Sequence, residues 1–133
     1  MQFYSTNRKT SPVSLREAVV RGLAADRGLF MPEVIRRFPP AFYQNMKEMT
    51  LREISFVVAE AFFGEDVEAG KLKEIVDETL NFDIPLVKVA DNRYSLELFH
   101  GPTLAFKDVG ARFMARLLAY FNKQEGERQV NVL

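Results

Sequence analysis

The chain has 133 residues, 47% of them apolar, and its 18 basic and 18 acidic side chains cancel. That balance excludes the basic face needed to bind nucleic acid or an anionic membrane, and no run reaches the ~20 apolar residues of a membrane span. No signal-peptide core opens the chain, the absence of cysteine rules out disulfides and thiolate metal sites, and a single histidine argues against zinc, so a metal-free, soluble, cytoplasmic globular protein is expected.

The first eighty or so residues read as helical. Ser14 opens a Ser-Leu-Arg-Glu capping box in which Glu17 would reach back to the free backbone N–H at the helix start. Leu15, Val19, Val20 and Leu23 then recur at helical spacing. Gly28 belongs to a loop with Asp26, Arg27 and Leu29, and Pro32, Pro39 and Pro40 keep any helix at 40–47 short. Thr50 opens a second box that closes on Glu53. The helix it starts carries Leu51, Ile54, Val57, Val58, Ala61 and Phe62, with Gly64 as its C-cap. A third helix from about Asp66 places Leu72, Ile75, Val76 and Leu80 on one side. These apolar faces are expected to pack on one another.

Pro85 marks a change of character. Residues 86–90 and 93–99 alternate as strands, and Asp91-Asn92 between them predicts a tight hairpin turn. After the loop His100-Gly101-Pro102-Thr103, a helix is expected from Lys107 or Asp108, with Val109, Phe113, Leu117 and Phe121 as an apolar stripe. The closing residues 129–133 read as a strand. A strand after a helix opens a parallel α/β unit, which is normally covered on both faces. The expectation is therefore an α/β protein met as a truncated, α+β piece, with 1–84 and 85–133 as its two parts. Its terminal strand, with Val130, Val132 and Leu133, would seek a partner, giving self-association through that edge or local disorder of the last residues. A complete small domain with an edge strand is the other possibility.

The chemistry concentrates at Lys107, which sits after Leu104, Ala105 and Phe106 at a helix start. Apolar neighbours would desolvate its ammonium, and the positive end of the helix dipole would disfavour its charge. Both favour the neutral amine that adds to an aldehyde to form a Schiff base. Asp108 would cap the helix and partly oppose them. The same residues also suit a surface lysine beside a capping aspartate, and spacing alone leaves both open.

The run His100 to Asp108, with the following Gly110-Ala111-Arg112-Phe113-Met114-Ala115-Arg116, resembles the lysine-bearing segment of threonine synthases, enzymes that share a fold type with tryptophan synthase β chains and serine/threonine dehydratases. Ala105 stands where the broader group commonly has serine. A second segment is similar to the opening of the same family: Tyr4-Ser5-Thr6-Asn7-Arg8, then Val13-Ser14-Leu15, then Gly22 through Pro32. Many members have glycine at the position of Arg27.

The resemblance implies a helical N-terminal module over 1–84 and the start of a pyridoxal phosphate (PLP)-binding α/β domain over 85–133. It implies that Lys107 carries PLP and moves protons during conversion of O-phospho-L-homoserine and water to L-threonine and phosphate. Phe106 would lie against the cofactor or pack the helix start. His100 and Thr103 would hydrogen-bond substrate or hold the loop. The Gly-rich phosphate loop and the group facing the pyridine nitrogen are expected beyond these residues, so the chain alone is not expected to be a competent enzyme. A dehydratase is a rival within the fold type, and a non-catalytic helical interaction module is a rival outside it.

Overall fold

A computed structural model describes residues 1–124 and residue 126. The strand expected at 129–133, and the self-association drawn from it, lie outside the described residues.

The chain opens not with helix but with a small antiparallel sheet, which corrects the all-helical expectation for this part. Strand β1 (Gln2–Ser5) is central, flanked by β2 (Val13–Ser14) and β3 (Phe30–Pro32). Phe3 sits opposite Val13 on one side and Pro32 on the other. The strands are only two to four residues long and pair across intervening helix and loop, so no local alternation announces them.

Helix α1 (Leu15–Arg21) follows β2 directly. Ser14 accepts the Glu17 N–H at 3.2 Å, but the Glu17 carboxylate pairs with Arg21 at 3.0 Å, one turn on, instead of reaching back. Leu15, Ala18 and Val19 are buried, whereas Val20 and Leu23, expected on the same face, are exposed. A short helix α2 (Pro40–Asn45) runs into a 3₁₀ turn at Met46–Glu48, as the prolines foretell.

Helix α3 (Leu51–Phe63) begins with a complete capping box. Thr50 Oγ accepts the Glu53 N–H at 3.3 Å, and the Glu53 carboxylate accepts the Thr50 N–H at 2.7 Å. Thr50→Ala should lower stability by ~1 kcal/mol, read as a shifted urea midpoint at unchanged slope. Ser14→Ala, at the half-formed box, should cost less. The face of α3 toward the core is Phe56, Ala59 and Phe63. The predicted stripe of Ile54, Val58 and Phe62 lines an open apolar groove of about 370 Å³ against Val109 and Phe113.

Helix α4 (Ala69–Thr79) starts three residues later than expected, because Asp66 and Val67 form a turn back to the Phe63 carbonyl. The Met1 ammonium reaches Glu65 and Asp66 here, at 3.0 and 3.1 Å, tying β1 to the α3–α4 turn. Leu72, Ile75, Val76 and Leu80 are all buried. They form one cluster with Phe3, Leu15, Val19 and Ala59, and with Leu117 and Phe121 of α5 (Lys107–Gln124). The core therefore draws on both the first and the last described elements. Among the described residues no helix is long and apolar enough to cross a membrane.

The hairpin of β4 (Leu86–Ala90) and β5 (Arg93–Leu96) forms as expected, turning through Asn92 at φ 56°. The ladder ends at Leu96, short of Phe99. None of the hairpin's residues joins the core cluster.

Candidate active site

Three elements place the lysine-bearing loop. Glu97 leaves β5 with its N–H on the Pro85 carbonyl at 3.0 Å, so the loop departs from the base of the hairpin. Its far end is α5, whose first turn closes with Asp108 N–H on the Ala105 carbonyl and Val109 N–H on that of Phe106. Between them the Leu104 N–H bonds the Gly101 carbonyl at 3.0 Å, with Leu104 in the left-handed region at φ 55°.

Lys107 is the first residue of α5, and its side chain is exposed. Leu104 and Phe106 are 76% and 73% exposed, so they do not provide the desolvation inferred from their apolar character. The loop is wrapped around Asp108 instead, which turns the side chains on either side of the turn outward.

Asp108 is buried in the second position of the helix. Its carboxylate accepts the Thr103 N–H at 2.8 Å and the Thr103 Oγ–H at 2.9 Å. It thus braces an upstream loop instead of simply capping its own helix. Burial pushes this carboxyl up, but the donors from Thr103 and the Ala105 amide, with the nearby Arg112 charge, outweigh it and hold the group below the usual carboxylate range. Gly101 is obligatory here, because a Cβ would fall 2.6 Å from Asp108 Oδ2.

His100 pairs with Glu97 at 2.7 Å through Nε2, and its ring lies 4.7 Å from that of Phe99. It lines an open groove of about 1140 Å³ with Thr50, Arg52, Asn81, Asp83 and Pro85, which Lys107 does not line. The structure thus joins Thr103 to Asp108, next to Lys107, and joins His100 to Glu97.

Residues that sequence reasoning passed over hold α5 in place. Arg112 donates to Asn81 Oδ1 at 3.0 Å and to the Glu78 carbonyl at 2.9 Å, and Arg116 meets the Glu78 carboxylate at 2.9 Å. From α3, Arg52 donates to the Leu80 carbonyl at 3.0 Å. Arginines from two helices thereby satisfy carbonyls at the end of α4, where the last turn leaves them without helical partners. The i, i+4 spacing of Arg112 and Arg116 was the available signal.

The second matched segment is also a single knot. Asp26 accepts Ser5 Oγ–H at 2.6 Å, the Lys9 N–H at 2.9 Å and the Gly28 N–H at 3.0 Å. Asn7 donates to the Asp26 carbonyl, and the Leu29 N–H reaches Thr6 Oγ at 3.0 Å. A Cβ on Gly28 would lie 2.0 Å from Ser5 Oγ. Arg27 sits at φ 65°, a conformation that glycine adopts without cost, so a glycine at this position would fit the loop at least as well.

A family model described as the threonine synthase N terminus matches residues 2–80. The threonine synthase of Serratia marcescens is 38% identical over 133 residues, covering all of this chain and 30% of the relative. That of Haemophilus influenzae is 41% identical over 119 residues, covering 90% and 28%. Among solved structures, a PLP-bound threonine synthase from Brucella melitensis superposes with a TM-score of 0.90 at 34% identity, covering 96% of this chain and 29% of that one. The Escherichia coli enzyme gives 0.84 at 36% identity, covering 91% and 28%. The chain therefore spans about 30% of the length of the curated relatives it matches.

Proposed function

The chain belongs to the threonine synthase N-terminus family, and from that premise we propose that it is the amino-terminal segment of a cytoplasmic enzyme converting O-phospho-L-homoserine and water to L-threonine and phosphate. Residues 1–84 serve as its N-terminal module, and 85–133 open its PLP-binding α/β domain. The observation that carries the reading is an exposed primary amine, Lys107, at the first turn of a helix fixed to the core.

The residues present fit PLP. Lys107 offers an accessible amine for its carbonyl carbon, and the 73%-exposed Phe106 offers an apolar face beside it. When bound, PLP supplies the electron sink that stabilises carbanions of the substrate. Lys107 Nζ takes and returns protons at the substrate carbons, Cα first. Thr103 and His100 are assigned to the substrate side. Thr103 Oγ gives its hydrogen to Asp108, so toward substrate it acts as an acceptor, while His100 presents Nδ1, its other ring nitrogen being on Glu97. The chain alone does not complete the reaction.

The test is a chimera in which residues 1–133 replace the matching segment of the Escherichia coli enzyme. It should release phosphate from O-phospho-L-homoserine with PLP present, while the free chain releases none. A folded chimera without phosphate release, or a free chain that matches it, would overturn the proposal.

A further inference from the structure

An aspartate in the first turn of a helix is favoured by the dipole while remaining in water. Asp108 is instead only 3% exposed, although Lys107 beside it is exposed. A buried carboxylate is tolerated only when its oxygens are paired, and here Thr103 pairs both, amide to Oδ2 and hydroxyl to Oδ1. The loop is shaped to the carboxylate at two further positions. Residue 101 has no room for a side chain, with a Cβ lying 2.6 to 2.9 Å from Asp108 atoms. Leu104 adopts φ 55° while its N–H closes the turn on Gly101. One turn along α5, Arg112 ties the same helix to Asn81 and to the Glu78 carbonyl. The first turn is thus fixed to α4, and the His100–Thr103 loop is fixed to the first turn.

We propose that Asp108 is the positioning residue for Lys107, its carboxylate setting where the amine stands relative to the Gly101–Thr103 loop, with the Thr103 hydroxyl as its required partner. The inference rests on the assignment of Lys107 as the PLP-bearing amine. Asp108 touches no reacting atom and acts through its neighbour and through Thr103. A misplacement on the order of 1 Å can cost ~100-fold in rate, so a brace of this kind acts on turnover more than on substrate affinity.

The test combines kinetics of the chimera with amide exchange in the 133-residue chain. Asp108→Ala, at a residue outside the substrate contacts, should lower kcat about tenfold or more while leaving KM for O-phospho-L-homoserine within about twofold. Thr103→Val, which removes the hydroxyl and keeps the amide, should lower kcat likewise. Thr103→Ser should restore kcat. Asp108→Asn, whose amide group can donate to a turned Thr103 hydroxyl, should lose less than Asp108→Ala. In the free chain the Thr103 N–H should exchange slowly and speed up about tenfold or more in Asp108→Ala, with α4 amides unchanged. A raised KM at unchanged kcat in Asp108→Ala would place the effect of the carboxylate in substrate binding and overturn the brace. Wild-type kcat in both Thr103→Val and Asp108→Ala, or an unprotected Thr103 amide in the wild-type chain, would also overturn it. Full activity of a Lys107→Ala chimera would instead remove the assignment of Lys107, whereas the exchange result judges the brace without reference to it.

Discussion

Lys107→Ala in the chimera should abolish threonine formation, with a fall of about 10³-fold or more, and leave the fold of the 133-residue chain intact. The two halves of that expectation have separate causes. Lys107 is exposed, and the first turn of α5 is held by Asp108, Arg112 and the core rather than by the lysine side chain. Its removal should therefore leave thermal melting and the circular dichroism spectrum as they were. The chemistry needs an amine that can lose a proton and add to a carbonyl. Lys107→Arg separates that requirement from charge, since arginine keeps length and positive charge but does not deprotonate in proteins. Arginine should be as inactive as alanine. If arginine retained appreciable activity, the group at 107 would be acting through its charge, and another amine would have to hold the cofactor.

How far this site could be read from sequence follows from how local its signals are. The helices α3, α4 and α5, the Thr50–Glu53 box and the Asp91-Asn92 turn each arise from signals within a few residues, and they appear where the pattern puts them except that α4 starts three residues later. The three-stranded sheet was invisible because Phe3 meets Val13 and Pro32 across helix and loop, and strands of two to four residues show no alternation. Even correct helices were read with a rotated face. Phe56, Ala59 and Phe63 of α3 pack on the core cluster, whereas the equally apolar Ile54, Val58 and Phe62 stay outside it and line an open groove whose wall Ala59 and Phe63 also share. Both stripes satisfy helical spacing, and only the position of α4 and α5 chooses between them. At the candidate site, the start of α5 at Lys107 was legible in the sequence. Its surroundings were not, because the Thr103–Asp108 bonds cross a turn whose left-handed Leu104 no propensity foretells. Ser5, Asp26 and Gly28 matched as a motif, yet the reason for their association is a three-dimensional knot that only the fold reveals.

Leu72→Ala should destabilise the chain by ~2–5 kcal/mol, whereas Leu86→Ala, at another leucine only fourteen positions on, should change stability by less than ~0.5 kcal/mol. Leu72 is 0% exposed in the cluster where α4 meets β1, α1, α3 and α5, so its truncation leaves a cavity that four elements would have to collapse to fill. Against the ~5–15 kcal/mol that holds a typical domain, a loss of this size is a large fraction. Leu86 is 65% exposed on a hairpin that contributes nothing to the core cluster. Urea denaturation of both variants distinguishes the cases: the midpoint should fall for Leu72→Ala at an unchanged slope and hold for Leu86→Ala. A two-stranded hairpin is marginal by itself, so the second result carries as much information as the first. If Leu86→Ala proved as costly as Leu72→Ala, the hairpin would be packed in solution against apolar surface of this chain. Leu104 and Phe106, on the loop that follows it, would then no longer stand open beside Lys107.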